Sequence, residues 1–380
     1  MKAGAPLTPA QSPAPHRTSP AATGKDAHRA TARAGRSARI NLTPVVIALA
    51  VAIAVSIVLS LAFGSERIPL ADVWAVVRGR LTGEPISSPF ATIVWQLRMP
   101  RALLAVLVGA GLSLGGAGMQ TLVRNPLAEP YLLGISSGAA VGATAVLVFG
   151  ALAQFGVYSL SAGALLGALG AALAVFGVSQ AQGGLTPLRM VLSGVVLSSA
   201  FSAVASFMVF LSDDNHAATS VMFWMLGSVA GASWEKLLLP LVVVVVIGGA
   251  MIVVSGWMDA LAAGPETAAA LGVRVGAMRI GLFVGLGVLI GCLVAVSGGI
   301  GFVGLIVPHA ARMMVGSLHR RMLPIAALTG ALFLLWVDVV SRVVARPQEI
   351  PIGVVTGVIG APVFLVLMGR RRYAFGGRDA

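Results

Sequence analysis

The amino-acid sequence predicts an all-α, polytopic membrane protein of about ten transmembrane helices, and three observations carry that prediction. Of the 380 residues, 57% are hydrophobic and only 10% are charged, with a mean hydropathy of +0.94. A water-soluble core does not absorb that much apolar surface. Stretches free of Asp, Glu, Lys and Arg also recur at about the 20-residue length that crosses a bilayer as a helix. The basic residues gather in the tails and in the connections between those stretches.

Taken in order, the charge-free stretches run 40–65, 102–123, 130–188, 190–212, 237–258, 280–311, 322–337 and 350–369. The stretch 40–65 is longer than the apolar region of a cleaved leader and is expected to be the first span. The stretch 130–188 is too long for one crossing and breaks around Gly150 to Tyr158, so it holds two. The stretch 280–311 breaks at Ser297-Gly298-Gly299, and its second part continues past Arg312 to Leu318. Ten spans result, an even number that puts both termini on one side.

Positive charge names that side. The first tail carries Lys2, Arg17, Lys25, Arg29, Arg33, Arg36 and Arg39, and the last carries Arg370, Arg371, Arg372 and Arg378. Both ends are therefore expected in the cytoplasm, with Arg124, Arg189, Arg274, Arg279, Arg312, Arg320 and Arg321 in loops on the same face. Membrane topology thus explains much of the net charge of +13, and lipid rather than nucleic acid is the expected partner. Residues 1–40, rich in Ala, Pro, Ser, Thr and Arg, do not offset the entropy of ordering and are expected to form a disordered basic tail. Residues 41–370 form the membrane domain and 371–380 a short cytoplasmic tail. Cys292 is the only cysteine, which excludes an intrachain disulfide and a Cys-rich metal site. No catalytic, cofactor-binding or metal-binding residue is expected in this chain.

Many of the 47 glycines lie inside the apolar stretches, where they let membrane helices approach closely. Gly111 with Gly115, Gly134 with Gly138 and Gly142, Gly281 with Gly285, Gly287 with Gly291, and Gly353 with Gly357 have the spacing of packing faces. The run Gly109 to Gly118 is apolar and lacks a charged partner, so it is assigned to packing and not to a phosphate loop. Three connections are long: 64–98 and 212–236 on the outer side, and 258–279 on the inner side. The runs at Gly134 and Gly353 echo one another weakly, as two halves related by an inverted repeat would.

Energy must come from outside the chain if ATP drives it. The three lysines, Lys2, Lys25 and Lys236, all lie outside a P-loop setting, so ATP would be bound by a partner. Ion-driven transport leaves acids inside the bundle, where a charge costs about 2.5 to 3.5 kcal/mol. Asp338 is the clear case, and Arg342 four residues on shares its helix face, giving an ion pair of structural or functional use.

Two sets of motifs resemble the FecCD-type permeases. One is Trp95-Gln-Leu-Arg98-Met-Pro-Arg101 through Met119-Gln120, Arg124-Asn125-Pro126-Leu127-Ala128-Glu129-Pro130 and Gly134-Ile135-Ser136-Ser137-Gly138. The other is Gly301-Phe302-Val303-Gly304-Leu305-Ile306-Val307-Pro308-His309, then Asp338 to Arg342, Pro351-Ile352-Gly353 and Gly360-Ala361-Pro362-Val363-Phe364. The likeness covers about residues 43–370. It implies an inner-membrane ABC importer permease with inverted-repeat architecture, carrying ferric siderophore, haem or cobalamin. It also implies a dimer with itself or a related permease, two ATPase subunits holding ATP and Mg, and an extracytoplasmic binding protein.

The resemblance further implies three sites. Arg98 and Arg342 match positions that meet acidic residues of the binding protein, against the alternative of headgroup snorkelling. Glu266, Ala270, Leu271 and Gly272 belong to a short helix, Pro265 to Leu271, which matches the element that couples to the ATPase. That helix starts well on its own account, with Pro at the first position, an acid in the first turn and Gly at the stop. Leu185, Thr186, Pro187 and Leu188 match the cytoplasmic gate, although a turn made by Pro explains them equally. Asn125 to Pro130 reads as a conformationally fixed loop, and His309 as a structural histidine. An ion-coupled secondary transporter working without an ATPase is the alternative function; it requires uptake without nucleotide and essential carboxylates in the spans. A structural membrane scaffold would transport nothing.

Overall fold

Helices form wherever the charge-free stretches predict spans. The computed structural model describes residues 41–370 except 87 and 214, so both predicted tails lie outside the described residues. Fourteen α-helices occur among the described residues: α1 (Leu42–Ala62), α2 (Leu70–Thr82), α3 (Met99–Val123), α4 (Ile135–Phe149), α5 (Ser159–Ala181), α6 (Pro187–Phe210), α7 (Asn215–Met225), α8 (Leu238–Val253), α9 (Ser255–Ala263), α10 (Pro265–Ala270), α11 (Val275–Ser297), α12 (Val303–Val315), α13 (His319–Val343) and α14 (Ile352–Arg370). Seven helical segments are long and apolar enough to cross a membrane, and α4, α12 and α14 contribute shorter apolar stretches at the three remaining predicted positions.

Local chemistry sets the ends. A wide π turn, Ile93–Arg98, extends α3 backwards, so the segment Ile93–Val123 runs 31 residues. It stops where Arg124 turns left-handed (φ 57°) ahead of Pro126. Pro187 opens α6, and the Thr186 hydroxyl accepts the Arg189 N–H at 3.4 Å as its cap.

Burial ranks the helices. The apolar window of the α3 segment is 78% buried, against 22% for α6, so α3 is the axis of the bundle and α6 its rim. Around α3 pack α8, α11, α12 and α13, while α4, α5 and α6 form a second group joined through α11. Outward faces carry Leu192, Val196, Phe207 and Phe210 of α6 and Val242, Val245 and Val246 of α8, all exposed, as a lipid-facing surface requires.

Close approach of small residues holds the layers. A Cβ on Gly142 would lie 1.9 Å from the Gly163 carbonyl oxygen, so α4 and α5 meet backbone to backbone; Gly116 of α3 meets Gly304 of α12 in the same way, also at 1.9 Å. Two of the expected pairs are packed at one glycine each: a Cβ on Gly353 would lie 2.3 Å from Leu226 O and one on Gly285 3.7 Å from Ile247, whereas Gly281 and Gly357 have no neighbour from this chain within 4 Å, Gly281 lining an apolar groove between α8 and α11.

The connection 212–236, expected to run outside, is corrected in its second half. After α7 the chain re-enters the bundle: Ser228 N–H donates to Ser297 O at 2.8 Å, Ile352 N–H to Gly227 O at 2.9 Å and Gly353 N–H to Leu226 O at 3.0 Å. Backbone polar groups at such a place must find partners within the protein. They find them in the breaks before α12 and α14.

Candidate functional site

Candidate side chains collect at three levels along α3. At the end where α3 begins, Arg101 Nε donates to Asp338 Oδ1 at 2.9 Å, and its Nη1 lies 2.9 Å from Glu349 Oε2. Arg342 Nη2 lies 3.0 Å from Asp338 Oδ2, and its Nη1 donates to Phe63 O at 2.8 Å. Arg98 donates to Leu61 O at 2.7 Å and Glu66 O at 2.6 Å. Asp338 is fully buried between two guanidiniums, so the pair anticipated with Arg342 is one half of a larger clasp joining α3, α13 and the connection from α1 to α2. Arg101 and Glu349 had given no sign of this in the sequence beyond their sign of charge.

Arg98 and Arg342 are brought together, but inwards. They are 8% and 3% exposed, and both engage backbone carbonyls at the end of α1. The outward presentation expected of docking residues is not their geometry in the isolated chain: a buried guanidinium is stable only with acceptors around it, and here this chain supplies them.

The middle level is a junction of interrupted helices. Asn125 Oδ1 accepts the Leu127 N–H at 2.9 Å, fixing a turn that sends the chain back up beside α3. Pro130 reaches the level of Gly115 and Gly304, about 12 Å along α3 from its C-terminal end. There Glu129 Oε1 accepts the Phe302 N–H at 2.7 Å, and the Tyr131 hydroxyl donates to Ile300 O at 3.0 Å while accepting the Ile300 N–H at 2.9 Å. Phe302 has φ 68°, the left-handed region that strains a residue with a Cβ. Glu129 thus holds a strained backbone at the start of α12. The loop Asn125 to Pro130 is fixed, as expected, but its acid was missed because its partner lies 173 residues away.

At the other end of α3 lie the coupling and gate candidates. Gly264 (φ 136°) and Pro265 start α10, and Gly272 (φ 80°) follows it; the helix closes at Ala270, one residue short of the expected Leu271. Ala268 is buried and anchors α10, whereas Glu266, Ala270, Leu271 and Gly272 are exposed together. Of the gate residues, Leu185 is buried, Thr186 and Pro187 are half-buried and Leu188 is exposed. Arg279 of α11 donates to Leu185 O at 3.2 Å, tying that turn to the helix that follows α10. His309 is half-buried in α12.

Residues 52–370 match the FecCD transport family. The chain is 37% identical over 311 residues to the molybdate import system permease protein MolB of Haemophilus influenzae, covering 82% of this chain and 91% of that one. It is 37% identical over 280 residues to the Fe(3+)-citrate import system permease protein YfmD of Bacillus subtilis, covering 74% and 82%. A solved metal-chelate type ABC transporter in an inward-facing conformation shares 35% identity at a TM-score of 0.76, covering 87% of this chain and 100% of that one. Motifs, helix order and similarity therefore agree, and the chain belongs to the FecCD transport family of ABC transporter permeases.

Proposed function

We propose that this chain is the membrane-spanning subunit of an importer that carries a metal chelate inwards, a ferric siderophore first and haem or cobalamin next. It works as a dimer with a second copy or a related permease. Two ATPase subunits bind ATP and Mg, an extracytoplasmic binding protein delivers the chelate, and both termini of the permease are cytoplasmic. The exposed tip of α10 carries the proposal. A six-residue helix anchored by one buried alanine, with Leu271 69% exposed beside it, suits docking into a cleft of another protein better than contact with water. Family membership supports the ATPase and binding-protein partners, and the iron citrate relative supports a ferric chelate.

Arg98 and Arg342 enter this scheme as proposed docking residues that must exchange carbonyl acceptors for carboxylates of the binding protein. Leu185 to Leu188 enter it as the proposed inner gate, held by Arg279. The ion-coupled alternative draws on the buried Asp338 and the half-buried Glu129, yet Asp338 is ion-paired with both Arg101 and Arg342, and Glu129 is tied to Phe302. Neither is arranged as a proton relay.

Reconstitution into vesicles with and without the co-purified ATPase tests the proposal. Uptake is expected only with the ATPase and ATP; uptake by the permease alone would replace the importer with the ion-coupled transporter.

A further inference from the structure

The inner end of the bundle holds a polar chain, buried at His319 and Thr121 and half-buried at Asp259, that none of the assignments above uses. Asp259 of α9 lies five positions before Gly264, where α9 hands over to α10. Its Oδ1 accepts the backbone N–H of His319 at 3.0 Å and meets the His319 Nδ1 at 2.5 Å. The other ring nitrogen, Nε2, lies 2.7 Å from the Thr121 hydroxyl of α3, which in turn donates to Ala117 O at 2.9 Å. One imidazole thus bridges three helices, α9, α13 and α3, and it cannot turn without breaking contacts on both sides.

Packing alone does not ask for these residues. His319 and Thr121 are 5% and 4% exposed, and apolar side chains of similar size would fill the space without needing partners. Two features give the chain mechanical meaning. The residue before α13, Leu318, offers no side-chain cap, so Asp259 caps α13 from a different helix. The start of α13 therefore follows α9. Thr121 sits three residues before the left-handed Arg124, at the root of the Asn125 to Glu129 loop that reaches Phe302. The end of α3 therefore follows His319.

We propose that Asp259, His319 and Thr121 form a coupling node, positioning residues through which displacement of α10 reaches α3 and α13. Push on α10 moves α9, to which it is joined through the Gly264 turn; α9 carries the cap of α13, and the imidazole carries α3. From there α13 leads to the Asp338 clasp and α3 to the Glu129 junction. The node rests on the importer reading, because it needs an ATPase acting at α10.

The test uses the full chain reconstituted with its ATPase and its binding protein as purified, the probe being the metal that the binding protein carries. Metal entering the vesicles is counted against ATP hydrolysed in Thr121→Val, Thr121→Ser, Asp259→Ala and the double variant Thr121→Val/Asp259→Ala. Uptake per ATP is expected to fall about fivefold or more in Thr121→Val and Asp259→Ala, which removes the acceptor of both His319 contacts. Thr121→Ser should restore it, and the double variant should be no worse than the weaker single, because a chain broken once is not broken further. Equal falls in uptake and hydrolysis, additive losses, or an unchanged ratio would each overturn the node. Should Asp259→Ala fail to assemble, the Thr121→Val and Thr121→Ser pair decides alone. A wild-type complex without ATP-dependent uptake would instead overturn the importer reading, and the node with it.

Discussion

Replacing Glu129 by alanine removes the acceptor that holds the start of α12. The Phe302 N–H donates to Glu129 at 2.7 Å inside the bundle, and Phe302 keeps φ 68° against its own Cβ. An N–H left without a partner in such a place costs about 1 to 3 kcal/mol, whereas the strain at Phe302 is present with or without the carboxylate and cancels. Glu129→Ala is therefore expected to destabilise the chain by about 1 to 3 kcal/mol, while Glu129→Gln, which keeps an oxygen in place, stays within about 1 kcal/mol. Denaturant titration in mixed micelles measures both. Equal damage by Ala and Gln, or an alanine variant within about 0.5 kcal/mol of wild type, would refute the reasoning.

Three further outcomes follow from the packing. Arg101→Leu leaves Asp338 buried with one guanidinium and is expected to cost about 3 kcal/mol or more, whereas Arg101→Leu with Asp338→Leu should recover much of the loss; the yield of folded protein by size exclusion reads both. Gly116→Ala forces a Cβ to within 1.9 Å of Gly304 O, so α3 and α12 must part, and a loss of about 1 to 3 kcal/mol should appear in the same titration. Leu271→Asp lies on an exposed tip and should leave folding intact while separating ATP hydrolysis from uptake in the reconstituted complex; normal coupling in that variant would remove α10 from the ATPase interface.

Much of the architecture was legible because it depends on local composition. Charge-free length located ten apolar segments, and Pro265 with Gly264 and Gly272 located α10 to within a residue. The connection after α7 was misjudged for a physical reason: it lies between two charge-free stretches, and charge-free length alone reads such a segment as outside the bundle. Their backbone groups are satisfied instead by the breaks before α12 and α14, partners remote in the chain. Gly281 and Gly357 have the spacing of packing glycines, but spacing is silent on whether a neighbour stands opposite. Arg98 and Arg342 were singled out as charges beside apolar stretches, while the direction of their guanidiniums depended on carbonyls at the end of α1 that only folding brings near.

Order along the chain by itself determined which segments are apolar and long enough to cross a bilayer, since bilayer thickness sets that length. Tertiary structure alone decided which charges meet: Asp338 takes Arg101 from 237 residues away, Glu129 takes Phe302, and His319 takes Asp259 and Thr121. The physical reason is that hydrogen bonds and ion pairs act over a few ångströms, so their partners exist only once distant helices have packed.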